Sequence, residues 1–375
     1  MYLFVSGRKD RLKTQDNCAK EFFYSYNLFK DKYSFTKIVE FNEVEDYSQI
    51  FNKFLKILDK VLRKIFKFPI FMSEIVNITN LKKIRDTDVL VITNDRIGCS
   101  IIPIMIINKF RRTRYISTNV FVLGLFSNLG EKNIHKLLQK IFLNLYFSIY
   151  DNFIFIGKAE YDFANNFSGK YSYKFNYIPF CIDTDFWKIK EKKKENDILF
   201  IGNDGNRDFD KLIEISKILQ EYKFIFVTNK IKKIDDLPLN VEIIEGHWNY
   251  NVLSDEELKK IYQKSKLSIV PLKNSIQPSG QSVTLQSMSL GIPVLISRTI
   301  GFWDLSQFID NENIFMIDYQ ATPNEWAEKI KNILKNEITT SEIANKGKTL
   351  VRSNFHLNEF HNKLNDLIIG KNKDG

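Results

Sequence analysis

Two doubly wound α/β domains are what this 375-residue sequence predicts, on three observations. Apolar strand-like runs alternate with helix-length segments through the first half of the chain. The same alternation restarts after Phe180. The strand runs themselves show little polar alternation, the pattern of parallel strands covered by helices on both faces.

In the first half the strands are YLFVSG (2–7), FTKIVEF (35–41), DVLVITND (88–95), RYISTNVF (114–121), NFIFIG (152–157) and FNYIPF (175–180). Helices are expected near 16–30, 50–67, 98–109 and 131–150. The second set is DILFIGN (197–203), KFIFVTN (223–229), NVEIIEG (240–246), LSIVPL (267–272), IPVLIS (292–297) and NIFMIDY (313–319). Two helices announce their starts by capping-box spacing, Ser254 with Glu257 and Thr322 with Glu325. The charged stretch KIKEKKKEND (188–197) reads as a linker. Together these give two Rossmann-like domains facing a central cleft. Boundaries are expected at 1–184 and 185–350, with a C-terminal helix at 351–375 that packs back on the first domain.

Composition narrows the class. Hydrophobic residues make up 44% and charged residues 27%, a globular balance. Cys18, Cys99 and Cys181 are too few and too scattered for a disulfide framework or a zinc site, which fits a reducing cytoplasm. The N-terminus reads as a strand rather than a signal peptide, and no run reaches the roughly 18 apolar residues of a membrane span. The net charge of +10 asks for an acidic partner. No nucleic-acid-binding signature accompanies it, so no nucleic acid is expected.

Two segments carry chemistry. In QPSGQSVTLQSMSLGIPV (277–294), a Pro-Ser-Gly turn follows the strand 267–272 and opens a helix. Unpaired amides and the helix dipole then point the same way, which makes an anion site of Ser279, Gly280, Gln281, Ser282 and Val283. In IGNDGNRDFDKLIEISKIL (201–219), a strand ends at Gly202-Asn203. Arg207 sits at the next helix start, with Lys211 one turn on. Fixed cations there suit a diphosphate; a solvated arginine on an ordinary loop is the alternative. No GxGxxG occurs, so this is not a dinucleotide fingerprint.

Taken together, these segments resemble the C-terminal half of GT-B glycosyltransferases, most closely the retaining family 4. The residues that carry the resemblance are Leu285-Gln286-Ser287-Met288-Ser289-Leu290-Gly291-Ile292-Pro293-Val294, the lead-in ELKKIYQKSKLSIVPL and the hinge-like IPFCIDTDFW. It is strong over 150–345 and rests mainly on element order before that. The resemblance implies a UDP- or GDP-sugar co-substrate, no permanently bound cofactor, and transfer to a glycan, lipid-linked or other hydroxyl acceptor with retention. It implies that 279–283 hold phosphate and sugar, and that Arg207 and Lys211 neutralise the leaving diphosphate. Gly202 and Asn203 join the donor site. Two glutamates of the family pattern are replaced, by Pro278 and by Gln286, whose amide oxygen can still accept a ribose hydroxyl. A non-catalytic glycan- or nucleotide-binding subunit, or a nucleotide-sugar epimerase of the same fold, are the alternatives.

In the first domain Ser6, Gly7, Asn94, Asp95, Thr118 and Asn119 are expected at strand ends as acceptor contacts. Asp183-Thr184-Asp185 reads as a turn or cap rather than a metal site, and no metal is expected. His247 follows a strand and is either an ordinary loop histidine or a lining residue of the nucleotide pocket. Finally, FNKFLKILDKVLRKIFKF (51–68) puts Phe51, Phe54, Leu55, Leu58, Val61, Leu62 and Ile65 on one face and lysines on the other. Such a helix either covers a sheet or lies on an anionic membrane, which would make a cytoplasmic enzyme peripheral to the inner membrane.

Overall fold

In the computed structural model the described residues are 1–13, 18–41, 49–111, 115–129, 133–189, 196–231, 237–246 and 253–370. They form two compact units. The first comprises Met1–Lys13, Phe23–Pro179 and His361–Gly375; the second comprises Thr14–Phe22 and Phe180–Phe360. The chain therefore changes unit at 179/180, ahead of the 184/185 boundary expected from sequence, and leaves the Asp183–Asp185 turn in the second unit. It also makes an excursion that the sequence did not announce, because 14–22 counts with the second unit.

The first unit holds strands β1 (Tyr2–Phe4), β2 (Ile38–Glu40), β3 (Val89–Ile92), β4 (Ser117–Val122), β5 (Asn152–Phe155) and β6 (Phe175–Tyr177). They form one parallel sheet in the order β2-β1-β3-β4-β5-β6. Its helices are α1 (Arg8–Leu12), α2 (Tyr26–Lys32), α3 (Gln49–Phe66), α4 (Ile78–Arg85), α5 (Asp95–Ser100), α6 (Ile102–Arg111), α7 (Asn133–Ile149) and α8 (Lys158–Phe167). The long helix expected near 16–30 is broken instead. Tyr24 and Ser25 take left-handed φ of 46° and 65°, which separates a 3-10 turn at Glu21–Phe23 from α2. The helix expected at 98–109 divides at Ile101 into α5 and α6. Pro103 explains the break, since it lacks an N–H and disfavours helical backbone just before it.

The second unit repeats the plan with β7 (Asn196–Ile201), β8 (Phe224–Val227), β9 (Val241–Ile244), β10 (Ser265–Val270), β11 (Val294–Arg298) and β12 (Phe315–Asp318), all parallel, in the order β12-β11-β10-β7-β8-β9. Its helices are α9 (Phe209–Ile218), α10 (Asp255–Gln263), α11 (Gln281–Ser289), α12 (Pro323–Lys335) and α13 (Glu337–Asn354), and α14 (Leu357–Gly370) runs on past the division at Phe360. Both capping boxes are present, Ser254–Glu257 on α10 and Thr322–Glu325 on α12. Every strand of the sequence reading is found. β4 and β8 are buried at every position, as strands covered on both faces must be.

In each sheet the chain lays strands to one side of the first strand and then to the other. The order reverses between β1 and β3 in the first unit and between β7 and β10 in the second. Ligands of open parallel sheets bind at the carboxyl ends of the strands flanking such a reversal, because the following loops diverge there and leave a crevice. α11 leaves β10 at that point. Nearly all of it is buried, and its side chains are mostly small, with a glycine of α13 against it. At Gly347 a Cβ would run into the Asn313 carbonyl and lie 2.9 Å from Met288 Cε, so only glycine permits this approach.

Candidate active site

The loops after β7 and β10 are fastened to each other by their backbones. Asp208 N–H donates to the Pro271 carbonyl (3.0 Å) and Lys273 N–H to that of Asn206 (2.8 Å), flanking a bridge between Arg207 and Leu272. The Asn206 amide donates to Ser279 Oγ (2.7 Å) and Gln277 Oε1 (3.1 Å). Ser279 thus shapes the turn. Its neighbour Gly280 is the N-cap of α11 with φ 81° and supplies no side-chain cap. Val283 is fully buried and can offer only its backbone.

Arg207 lies against this turn. It is 3% exposed, and its Nε and Nη1 have no hydrogen-bond partner. Asp204 approaches Nε only to 3.5 Å, from a half-exposed position. Two glycines make room for the side chain. A Cβ at Gly202 would overlap Arg207 Nε, and one at Gly280 would stand 3.1 Å from Nη1. A guanidinium buried with unpaired donors costs several kcal/mol in principle unless an anion satisfies it. Here the donors stand beside a helix N-terminus whose dipole favours negative charge.

The other expected donor residues divide. Asn203 is committed to the sheet end: it donates to the Gly246 carbonyl (2.8 Å) and accepts from Thr228 Oγ1 (2.9 Å) and Asn229 N–H (2.7 Å). Lys211 donates to the Tyr319 carbonyl (2.7 Å) and pairs with Asp208 at 3.7 Å, so its ammonium is not grouped with the unpaired nitrogens of Arg207. Gln286 departs furthest from expectation. It is 1% exposed; its Oε1 accepts from Tyr262 OH (3.0 Å) and its Nε2 donates to Glu21 (2.8 Å). That amide is spent inside the unit rather than presented to a ribose. Trp187 Nε1 also donates to Glu21, at 2.8 Å. Sequence reasoning missed Glu21 and Tyr262 because Glu21 stands 265 residues from Gln286, and no local pattern marks such a pairing.

Burial, with the Asp255 carboxylate adding to it, pushes Glu21 up to about 7, despite the donors that favour its charged form. A folded pKa above the ordinary 4.5 means that this group's contribution to stability is fully present below about pH 4.5 and is lost as pH rises through about 7. Glu21→Gln keeps an acceptor for Trp187 and Gln286 without the charge. Its melting temperature relative to wild type should therefore rise between pH 5 and pH 8; a pH-independent difference would contradict the shift.

In the first unit, Ser6 and Gly7 follow β1, with Gly7 at φ 89° as the N-cap of α1. Asn94 caps α5 by accepting from Arg96 N–H (2.7 Å). Asp95 is buried and accepts from Leu123 N–H (2.9 Å), and burial raises it to about 6. These four flank the β1/β3 reversal. Thr118 and Asn119 do not. They occupy the first half of β4, where Thr118 bonds Asp151 (2.8 Å) and Asn119 accepts from Asn152 (2.9 Å), because the strand begins three residues later than its sequence pattern suggested. Their place at strand ends facing a ligand is thereby corrected. Asp183 accepts from Phe186 N–H (3.0 Å) as a turn cap, and Asp185 is exposed. Among the described residues no group of three or more His, Cys, Asp or Glu could hold a metal. His247 lies outside the described residues.

Residues 182–350 match the family model of glycosyl transferases group 1. Over that segment the chain is similar to the group 1 glycosyl transferases. The fold as a whole is GT-B. The sucrose-phosphate synthase of Thermosynechococcus elongatus superposes with TM-score 0.65 at 12% identity, over 100% of this chain and 99% of that one. Anabaena HepE in complex with UDP and glucose gives TM-score 0.65 at 12% identity, over 98% of each chain. A mutant of S. aureus TarM in complex with Fondaparinux, alpha-GlcNAc-glycerol and UDP gives 0.58 at 18% identity, over 76% of this chain and 57% of that one. No curated protein matches in sequence. The matched segment contains both fastened loops, Arg207 and α11.

Proposed function

We propose that this protein transfers a sugar from a nucleotide-sugar to a hydroxyl acceptor, with retention at the anomeric carbon. The observation that carries the reading is Arg207, buried with Nε and Nη1 lacking hydrogen-bond partners, against the N-terminus of α11 at the β7/β10 reversal. The donor diphosphate lies there, held by the amides of Gln281, Ser282 and Val283. As the glycosidic bond to phosphate breaks, negative charge grows on the departing oxygen, and a preorganised guanidinium and helix dipole stabilise it without reorganising. In a retaining reaction that oxygen takes the acceptor's proton on the same face, so no separate protein base is required. UDP is the first nucleotide to test, since HepE and TarM were both crystallised with it. Glycans and lipid-linked glycans are the acceptors to screen, with Ser6, Gly7, Asn94 and Asp95 as candidate contacts.

The test is calorimetric titration with UDP, GDP and ADP, each with and without magnesium, in wild type and Arg207→Ala. Saturable binding of one nucleotide, unchanged by magnesium and lost in the variant, is the expected result. Absence of binding by all three would sink the donor site and leave a non-catalytic subunit, the reading that the committed amide of Gln286 would then favour. The anomeric configuration of the product, read by NMR, tests retention.

A further inference from the structure

α3 and α7 are neighbours in the first unit, joined by the tilted contact of the Phe66 and Phe142 rings (centroids 5.2 Å). The sequence assigns α3 a single apolar face, but the structure divides it. Leu55 turns into the unit, while Phe54, Ile57 and Val61 remain 58%, 64% and 47% exposed. α7 does the same: Phe142 and Phe147 are buried, whereas Leu137, Ile141 and Leu145 are 60%, 55% and 43% exposed. At the end of α6, which packs on α7, Phe110 is 83% exposed.

Charge on these helices has one sign. Lys53, Lys56, Lys60 and Lys64 are exposed on α3, as are Lys136 and Lys140 on α7. Asp59 is the single acidic residue in the sequences of α3, α6 and α7. It is 1% exposed and spent on the amides of Met72 (2.8 Å) and Ser73 (3.0 Å). Large exposed apolar side chains set among cations, with no exposed acid on the three helices themselves, fit a surface that is itself apolar and anionic. A protein partner would have to match both features, whereas a bilayer with anionic headgroups supplies both at once.

We propose that α3 and α7 seat this protein on an anionic phospholipid bilayer. Apolar side chains enter the headgroup boundary and the lysines contact the headgroups. No described helix is long and apolar enough to cross a membrane, so the association is peripheral. It needs no donor and does not depend on the catalytic reading, so Arg207→Ala should bind vesicles as wild type does.

The test is co-sedimentation of the full chain with vesicles of phosphatidylglycerol and phosphatidylcholine, against phosphatidylcholine alone. Binding is expected only with phosphatidylglycerol, and it should weaken steeply with salt. Lys56→Glu/Lys60→Glu/Lys64→Glu should weaken it by about a hundredfold or more, at roughly fivefold per lysine removed. Phe54→Ser/Ile57→Ser/Leu137→Ser/Ile141→Ser should reduce it to background. All seven positions are exposed, so unchanged melting temperatures are expected and would show that the variants fold. Equal background on both vesicles would overturn the proposal. So would serine variants that bind as wild type does, or a dimer in sedimentation velocity that the serine changes abolish while vesicles go unbound.

Discussion

Arg207→Ala is expected to lower turnover by roughly two to three orders of magnitude, the usual cost of removing one preorganised donor from a developing oxyanion. The physical reason lies in how the residue is held. Its guanidinium is already out of water and pressed between Gly202 and Gly280. On the proposed reading it meets the leaving diphosphate, with Asp204 3.5 Å from Nε, without the desolvation that a surface arginine would undergo on binding. The same facts predict an unusual pairing of effects. A buried guanidinium with unpaired nitrogens is a cost to the fold, so alanine should leave the melting temperature of the free protein unchanged or raised while activity falls. Steady-state kinetics and thermal melts on one preparation check both. Near-wild-type turnover would refute the role, and a large loss of stability would make Arg207 a structural brace instead.

Gly202→Ala should have the second-largest effect, although Gly202 offers no side chain to any ligand. A Cβ there would overlap Nε of Arg207 and come within 2.8 Å of Cδ and 2.9 Å of Cγ, so the whole side chain must leave its slot. Nucleotide affinity is expected to fall on the order of tenfold to a hundredfold, as when a charge-assisted bond is lost. Because both substitutions act through one guanidinium, Gly202→Ala added to Arg207→Ala should do no further harm. Calorimetric titration of the two single variants and the double variant measures the coupling. Additive losses would mean that Gly202 matters for another reason, such as the path of the chain from β7.

How far the sequence reached depended on the range of the interactions involved. All twelve strands were legible: strands buried on both faces, such as β4 and β8, show a continuous apolar run, and the edge strand β9 still shows a short one. The capping boxes of α10 and α12 were legible for the same reason, since Ser254 and Thr322 reach only three residues ahead. The turn at Ser279–Gly280 and the helix after it were legible from local pattern alone. Helix breaks were less legible. The left-handed backbone at Tyr24 and Ser25 has no glycine to announce it.

Side-chain roles depended on the tertiary structure. Arg207, Asn203, Lys211 and Gln286 were all candidates for the donor site in the sequence, two of them near a strand end and Lys211 and Gln286 on the helices that follow. Folding separates them by what else lies within about 3 Å. Asn203 meets Thr228 and Gly246, Lys211 meets the Tyr319 carbonyl, Gln286 meets Glu21 and Tyr262, and Arg207 keeps two nitrogens unpaired. α3 makes the same point at its surface, where a single apolar stripe divides into a packed edge and an exposed one. Local sequence determined the twelve strands and the helix start after Gly280, because each shows in a few consecutive residues, whereas the strand order and the reversal at β7 and β10 come from pairings such as Ser265 with Asn196. Which polar group is left unpaired at that helix start was decided by partners up to 265 residues away, and only the folded chain brings them within hydrogen-bond reach.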